Sequence, residues 1–134
     1  MNYASGSALK AYHSAGAHGR VAAADPHRLV LLLLDGAIDR LSIAKGQIAQ
    51  GRIAQKAETI SRAMAIVDSL NAHLDLDKGG EVALNLRGLY DYATRRLLEA
   101  NLHSDVGALD EVAALLHEIR AGWQAIAPAA QGGP

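Results

Sequence analysis

The stretch from Leu74 to Asn101, LDLDKGGEVALNLRGLYDYATRRLLEAN, decides how the chain is organised. Adjacent glycines are typical of chain reversals, because glycine adopts backbone conformations that other residues avoid, so Gly79-Gly80 predicts a turn. Two long amphipathic segments precede this turn and two follow it. A chain that folds back at the two glycines brings its halves side by side.

The composition predicts an all-α domain with an aliphatic core. A chain of 134 residues is long enough for one domain with a real hydrophobic interior. Half of the residues are hydrophobic, yet only 4% are aromatic and phenylalanine is absent. Leucine and alanine are strong helix formers, and the prolines lie outside the long periodic runs.

Charge and hydropathy argue against several classes of protein. The formal net charge is −1 and no long basic run is present, which argues against nucleic-acid binding. The longest apolar run, Leu29 to Leu34, is far shorter than the roughly 18 residues of a membrane span. The first twenty residues lack the apolar region of a secretory signal. The absence of cysteine excludes disulfides and thiolate chemistry and is compatible with a reducing cytosol.

Start and stop signals predict four long helices. Asp25-Pro26 is a strong helix start and Gly51 a strong stop. The predicted helices run from Pro26 to about Gln50, from Arg52 to Leu74, from Glu81 to Asn101, and from a cap at Ser104 or Asp105 to a point before Pro128. Short connections make sequential helices antiparallel neighbours, so residues 25–126 are expected to form an antiparallel four-helix bundle.

The two ends of the chain differ in composition from the bundle. Leu9 and Tyr12 are spaced to share one face of a short N-terminal helix around Ser5–Ser14. Because so short a helix is marginal in water, residues 1–24 are expected to be mobile, either loosely docked or untethered. Residues 127–134, APAAQGGP, are expected to be a disordered tail.

Apolar periodicity predicts the helix faces that enter the core, and it leaves a surplus. The predicted stripes are Val30, Leu34, Ala37, Leu41, Ala44 and Ile48; Ile53, Ala57, Ile60, Met64, Val67 and Leu74, with Ala63, Ile66 and Leu70 offset by one position; Val82, Leu86, Leu89, Ala93 and Ala100, with Leu84, Tyr90, Leu97 and Leu98 on the flanks; and Leu109, Val112, Leu116, Ile119 and Trp123. The first three helices thus carry more apolar side chains than one face can hide. Either the rest of the bundle and the N-terminal segment cover the excess, or a groove remains that accepts an apolar peptide or helix.

Residue patterns for catalysis or metal binding are missing from the sequence. The long helices contain no Glu-x-x-His pair of the kind that di-iron bundles use. His73, His103 and His117 fall near helix ends or on polar faces, where solvated histidine is the ordinary outcome. No phosphate-binding glycine loop and no triad order is present. We therefore expect no catalytic residues, no metal and no cofactor, and a protein that is not an enzyme; an unrecognised site in the bundle is the remaining enzymatic alternative.

Several short motifs, in collinear order, resemble the flagellar secretion chaperone FliS family. The central ones are Leu74-Asp75, Lys78-Gly79-Gly80-Glu81, Asn85-Leu86, Leu89-Tyr90-Asp91-Tyr92, Arg95-Arg96-Leu97, Ala100-Asn101 and Asp105. Ala11-Tyr12, Asp35-Gly36-Ala37, Glu111-Val112 and Trp123 extend the resemblance over about residues 1–125. Two positions depart from the family pattern: Leu34 stands where an aromatic residue is usual, and Asp25 where serine is frequent.

The resemblance implies a cytoplasmic helical bundle that binds the disordered C-terminal region of flagellin along apolar grooves. It implies that the chaperone prevents premature polymerisation and assists delivery of its client to the flagellar export-gate protein. The N-terminal segment, Leu9 to Tyr12, is then expected to occupy a groove without client and to contact the export gate when client is bound. A homodimer is a further possible state of the chaperone without client. The alternative function is a structural bundle that self-associates through its apolar stripes, as a concentration-dependent dimer that persists when client is present.

The residues expected to form the flagellin groove are Leu33, Leu34, Ile66, Leu70, Leu86, Leu89, Tyr90, Asp91 and Tyr92. Because Tyr90 and Tyr92 are two positions apart on a helix, they lie on opposed flanks and at most one is expected to be buried. Asp91 either accepts hydrogen bonds from the client backbone or pairs with Arg95 one turn away.

Overall fold

The computed structural model describes residues 10–12 and 25–126. Within those residues it contains four α-helices and no strand: α1 (Pro26–Ala49), α2 (Ile53–Ala72), α3 (Leu76–His103) and α4 (Val106–Gln124). The all-α prediction is confirmed. Most of the predicted N-terminal helix around Ser5–Ser14, and all of the predicted tail at 127–134, lie outside the described residues.

The helix starts follow the predicted caps. Asp25 Oδ1 accepts a hydrogen bond of 3.0 Å from the Arg28 N–H, with Pro26 as the first helical residue. Asp105, rather than Ser104, caps α4, since its Oδ1 accepts at 3.2 Å from the Ala108 N–H. Each aspartate satisfies an amide that the helix itself leaves without a partner.

The four helices close into an antiparallel ring in which α1 packs against α2 and α4, and α3 packs against the same two. Lys45, late in α1, forms an ion pair of 2.7 Å with Asp110, early in α4. Asp35, earlier in α1, pairs with Arg120, late in α4. Because early residues of one helix meet late residues of the other, α1 and α4 run in opposite directions.

A buried lysine joins the start of α2 to the end of α3. The Lys56 Nζ donates to the Asn101 carbonyl oxygen at 2.7 Å and to Asn101 Oδ1 at 3.2 Å. Asn101 lies in the last turn of α3, where unpaired carbonyl groups create partial negative charge. The ammonium group is thus neutralised in part by the helix end. Nothing in the apolar periodicity marked Lys56 as a buried residue.

The third helix begins earlier than predicted. It starts at Leu76 rather than at Glu81, because Asp75 Oδ1 accepts at 3.0 Å from the Lys78 N–H. Gly80 is instead a single non-helical residue inside α3, with φ 55° and ψ −135°. Such a backbone conformation is nearly restricted to glycine. The glycine pair therefore marks a kink, and the aspartate cap before it decides where the helix begins.

The core face of α3 also differs from the predicted stripe. The structure buries Ala83, Tyr90, Ala93, Leu97 and Ala100, whereas Val82 and Leu86 are half-buried and Leu89 is exposed. Two apolar stripes lie about one position apart on this helix, and periodicity cannot choose between them. The three alanines allow neighbouring helices to approach closely. The larger side chains of the predicted stripe are consequently left toward the surface.

The remaining stripes are confirmed in α1 and α4 except at Ile48 and Ile119, which are half-buried, and the stripe of α2 is mixed. The buried residues are Val30, Leu34, Ala37, Leu41 and Ala44 in α1, Ile60, Ala63, Val67 and Leu70 in α2, and Ala108, Leu109, Val112, Leu116 and Trp123 in α4. In α2 the offset stripe supplies Ala63 and Leu70, while Ile53 is exposed. Leu32, Ile43, Leu84, Leu98 and Leu102 are exposed as well, so the predicted apolar surplus is present on the surface.

Candidate binding groove

An apolar groove lies along the side of the bundle where α3 meets α4. Its volume is about 500 Å³. The residues that line it are Tyr12, Val30, Val82, Leu86, Leu89, Tyr90, Leu115, Glu118, Ile119, Gly122, Trp123 and Ile126. Glu118 is the single charged residue among them and is itself exposed. An elongated apolar groove of this kind suits the apolar face of a peptide or helix.

The misassigned stripe of α3 forms one wall of this groove. Val82, Leu86 and Leu89 follow each other at intervals of four and three residues and therefore lie on one helix face. Leu115 and Ile119 of α4 form the opposite wall at an interval of four. Most of these side chains pack against the edge of the core and are only half-buried, whereas Leu89 is exposed.

The floor of the groove contains a buried pair of tyrosine hydroxyls. Tyr12 is only 2% exposed and Tyr90 is fully buried. The Tyr12 hydroxyl donates to the Tyr90 hydroxyl at 2.7 Å. Because Tyr90 belongs to the core of α3 and Tyr12 to the separate segment 10–12, this hydrogen bond joins the segment to the bundle.

The backbone of the segment is held at a second point. The Asp75 N–H donates to the Ala11 carbonyl oxygen at 2.6 Å. Gly79 makes this approach feasible: a Cβ atom added there would lie 2.7 Å from the Ala11 Cα and 2.6 Å from the Ala83 Cβ. Both distances are shorter than van der Waals contact allows. Ala11 therefore packs directly against the first turn of α3.

Trp123 connects the segment to the start of α1 and the end of α4. Its ring meets the Tyr12 ring edge-on at 5.5 Å and stacks on the buried His27 ring at 5.4 Å. The Trp123 Nε1–H donates to the His27 carbonyl oxygen at 2.9 Å, and His27 Nε2 donates to the Trp123 carbonyl oxygen at 2.8 Å. A carbonyl only accepts, so His27 carries hydrogen on Nε2.

Burial makes both floor tyrosines weaker acids. Removal from water, which disfavours the charged phenolate, raises the pKa of Tyr90 from its ordinary value to about 12. The same desolvation, followed by the proximity of Tyr90, raises the pKa of Tyr12 further still. Both hydroxyls are therefore neutral near pH 7 and act as a hydrogen-bonding pair.

A second, smaller cavity of about 250 Å³ lies on the other side of Tyr12, between α1 and α2. Its lining residues are Tyr12, Leu29, Val30, Leu33, Ser69, Leu70 and His73. Tyr12 and Val30 line both cavities. Tyr12 thus lies between the two cavities and separates them.

Five of the residues predicted from the sequence lie at these two cavities. Leu86, Leu89 and Tyr90 line the groove, and Leu33 and Leu70 line the second cavity. Tyr12, predicted as part of a capping segment, lines both, whereas Leu9 lies outside the described residues. Leu70 and Tyr90 are themselves almost entirely buried rather than open to solvent.

Leu34 requires a correction. It is fully buried, because the spacing of Val30, Leu34, Ala37 and Leu41 places it at the centre of the core face of α1. It offers no surface to a partner in this structure. Ile66 is half-buried, and its Cδ1 lies 3.6 Å from the position that a Cβ on Gly36 would take, so it contacts α1 outside the groove.

Tyr92 and Asp91 face away from the groove and bind neighbouring helices. Tyr92 is exposed, as expected if only one of the two tyrosines is buried, and its hydroxyl donates to Glu111 of α4. This hydrogen bond raises the pKa of Tyr92 and is the main cause that lowers the pKa of Glu111. Asp91 Oδ1 accepts from Asn71 Nδ2 at 2.8 Å, while Arg95 lies over the Tyr92 ring. The described partner of Asp91 is therefore Asn71.

Sequence reasoning missed Val82, Leu115, Ile119, Trp123 and Ile126 as lining residues. Val82, Ile119 and Trp123 were predicted to enter the core; Trp123 is buried there, whereas Val82 and Ile119 are half-buried. Their regular spacing did mark them as apolar. The spacing could not predict how α3 is rotated about its own axis, because that rotation depends on how closely its alanines pack.

The described residues offer no metal centre: no group of three or more His, Asp or Glu side chains in residues 10–12 and 25–126 could hold an ion. None of the helices in the same residues has the length and apolarity that crossing a membrane requires. The groove is thus the main candidate site in this part of the chain.

The family model described as flagellar protein FliS matches residues 8–130. The chain is 45% identical over 125 residues to the flagellar secretion chaperone FliS of Salmonella typhimurium, an alignment that covers 92% of this chain and 93% of the relative. The chain belongs to the FliS family. It is also 42% identical to the flagellar secretion chaperone FliSB of Pseudomonas aeruginosa, over 89% of this chain and 94% of that protein. A chaperone role in flagellar export, with a client protein as partner, follows for this FliS family member.

Proposed function

We propose that this chaperone binds the C-terminal region of flagellin in the α3–α4 groove, prevents premature polymerisation and assists delivery to the export-gate protein. The single observation that carries the proposal is the row of apolar side chains at Val82, Leu86 and Leu89, which line the groove and which the bundle buries only in part. A disordered client that cannot bury its own apolar face alone gains a rigid apolar surface here.

The size of the apolar surface matters for this proposal, because a disordered client must gain enough contacts to offset the cost of its ordering. Folding of a disordered segment on binding costs roughly 2–5 kcal/mol of ordering free energy, so a client needs contacts beyond one short groove. The second cavity provides further apolar surface, and Leu84, Leu98 and Leu102 are exposed on another face of α3. A client that wraps around the bundle can use several of these areas in succession.

We further propose that residues 10–12 occupy part of the client site until client binds. Tyr12 separates the two cavities and lines both, so its departure would enlarge the apolar surface. The released segment, with Leu9 and Tyr12, would then be free to contact the export gate. This exchange requires residues 1–24 to be mobile. We also propose that the protein works in the cytosol and that residues 127–134 form a disordered tail.

A second candidate function is self-association. It is favoured by exposed apolar side chains away from the groove, notably Leu32 and Ile43 on α1, each 53% exposed. A dimer formed through α1 would persist when the groove is occupied, whereas a dimer formed through the groove would dissociate when client binds.

The proposal is tested by titrating the full-length protein with a peptide of the flagellin C-terminal region. We expect a one-to-one complex, measured by calorimetry and by sedimentation. Leu86→Asp places a charge in the apolar groove and is expected to weaken binding at least about tenfold. Leu32→Asp is the matched control on the exposed face of α1 and should bind within about twofold of wild type. Absence of binding by the wild type, or equal binding by Leu86→Asp, would overturn the proposal.

A further inference from the structure

The Tyr90 hydroxyl is a polar group buried in the floor of an apolar groove. Its hydrogen-bond partner, the Tyr12 hydroxyl at 2.7 Å, comes from the segment 10–12 rather than from the bundle. The groove residues Val82, Leu86 and Leu89 carry no polar side-chain atoms. Whatever replaces Tyr12 therefore meets a hydroxyl in otherwise apolar surroundings.

The other polar groups at the groove do not depend on the segment. The Trp123 Nε1–H is paired with the His27 carbonyl oxygen, and both residues belong to the bundle. Glu118 is exposed and remains accessible to water. Among the described residues that line the groove, the Tyr90 hydroxyl is thus the buried side-chain group that loses its protein partner when Tyr12 departs.

A buried hydroxyl without a partner is unfavourable, because it gives up its hydrogen bonds to water and gains none in return. A helical client segment cannot supply a backbone group, since its amides and carbonyls are already paired within the helix. A helix is also the form that two facing rows of apolar side chains suit best. If a helical client supplies the partner, that partner is therefore a side chain on its apolar face.

We propose that Tyr90 is a specificity-determining residue, which selects a client segment with a neutral hydrogen-bonding side chain (Asn, Gln, Ser or Thr) on an otherwise apolar helix face. The inference rests on the proposed client-binding function and names the chemistry of its central contact. A hydroxyl donates and accepts, so either an amide or a hydroxyl side chain can satisfy it. A charged side chain is disfavoured because the floor of the groove is apolar.

The test is a double-mutant cycle on the full-length protein with the flagellin C-terminal peptide. Each Asn, Gln, Ser and Thr of the peptide is replaced by alanine in turn, and each peptide is titrated against wild type and Tyr90→Phe. For one peptide position we expect the replacement to weaken binding to wild type on the order of fivefold to tenfold, and to leave binding to Tyr90→Phe unchanged. Changes in the free protein cancel, since each ratio compares two peptides on the same protein.

Two controls separate this contact from neighbouring effects. Tyr92→Phe removes an exposed hydroxyl outside the groove, and Tyr12→Phe removes the partner that is expected to leave; both should reproduce the wild-type ratio at that position. Ratios that are the same for wild type and Tyr90→Phe at every position, in peptides that do bind, would refute the inference and leave the proposed function standing. A wild-type protein that binds no peptide would refute the proposed function and the inference with it.

Discussion

At the scale of single residues, the buried pair Tyr12 and Tyr90 links the N-terminal segment to the helical core. The two hydroxyls satisfy each other in surroundings that exclude water. A buried hydrogen bond of this kind contributes modestly when present, but the loss of one partner leaves the other unsatisfied. The pair is therefore expected to behave as a unit in mutagenesis.

We expect Tyr12→Phe and Tyr90→Phe each to lower the free energy of unfolding by about 1–3 kcal/mol, because each leaves one buried hydroxyl unpaired. The double variant should recover a large part of this loss, since no unpaired hydroxyl remains. Urea unfolding of the four proteins measures the coupling. Strictly additive effects would show that the hydroxyls do not interact.

The same pair makes stability depend on alkaline pH. Burial raises the pKa of Tyr90 to about 12, above its ordinary value of 10.0, and raises the pKa of Tyr12 as well. A pKa that is higher in the folded state favours the neutral form there, so its contribution is complete below about pH 10 and declines as the pH rises toward 12. We expect the free energy of unfolding to fall more steeply over this interval in wild type than in the Tyr12→Phe/Tyr90→Phe variant. Identical pH profiles would contradict the assignment.

At the scale of helices, two neighbouring glycines in α3 have different tasks. Gly80 adopts a conformation with positive φ that kinks the helix, and Gly79 leaves room for Ala11. The sequence predicted a special backbone at this place but could not show that Asp75 would start the helix before it. The contact between Gly79 and Ala11 joins residues 68 positions apart, and no local pattern reveals such a contact.

Gly79→Ala is expected to displace residues 10–12 and to lower the free energy of unfolding by about 1–3 kcal/mol, since its Cβ would overlap with Ala11 and Ala83. Trp123 is the only tryptophan and is packed against Tyr12, so its fluorescence should shift to longer wavelength as water gains access. Gly88→Ala is the control, because no atom lies within 4 Å of its added Cβ. It should stabilise α3 by roughly 0.5–1 kcal/mol, without a change in fluorescence. Equal changes in unfolding free energy and in fluorescence for the two variants would show that Gly79 does not provide the space for Ala11.

The end of α3 offers an independent test of backbone strain. Ser104 caps this helix with φ 50° and ψ 47°, a left-handed conformation that glycine adopts without penalty. We expect Ser104→Gly to increase the free energy of unfolding by about 1 kcal/mol. Thermal unfolding provides the measurement, and a lower melting temperature than that of wild type would argue against strain at this position.

Sequence reasoning predicted the helices well and the groove only in part. Caps and stop residues such as Asp25, Gly51 and Asp105 act locally, so the sequence located most helix ends within a few residues. The groove depends on the rotation of α3, which is decided by close packing of Ala83, Ala93 and Ala100. Buried polar groups such as Lys56 and His27 escaped prediction because their partners lie on other helices.

At the scale of the whole molecule, one ring of helices supports two apolar surfaces with different positions. The α3–α4 groove is lined by buried core residues such as Tyr90 and Trp123 and by half-buried or exposed apolar residues of α3 and α4 around them. The exposed Leu32 and Ile43 lie on α1, which packs against α2 and α4 rather than against α3. Client binding in the groove should therefore leave the surroundings of Leu32 and Ile43 unchanged. Self-association through α1 should instead leave the surroundings of the groove residues unchanged.

The most direct measurement of this difference is methyl NMR of the full-length protein during titration with the flagellin C-terminal peptide. We expect the methyl signals of Val82, Leu86, Leu89, Leu115 and Ile119 to shift until one equivalent of peptide is present. Those of Leu32 and Ile43 should stay in place. Shifts confined to Leu32 and Ile43, with the groove signals unmoved, would contradict the assignment of the groove as the client site.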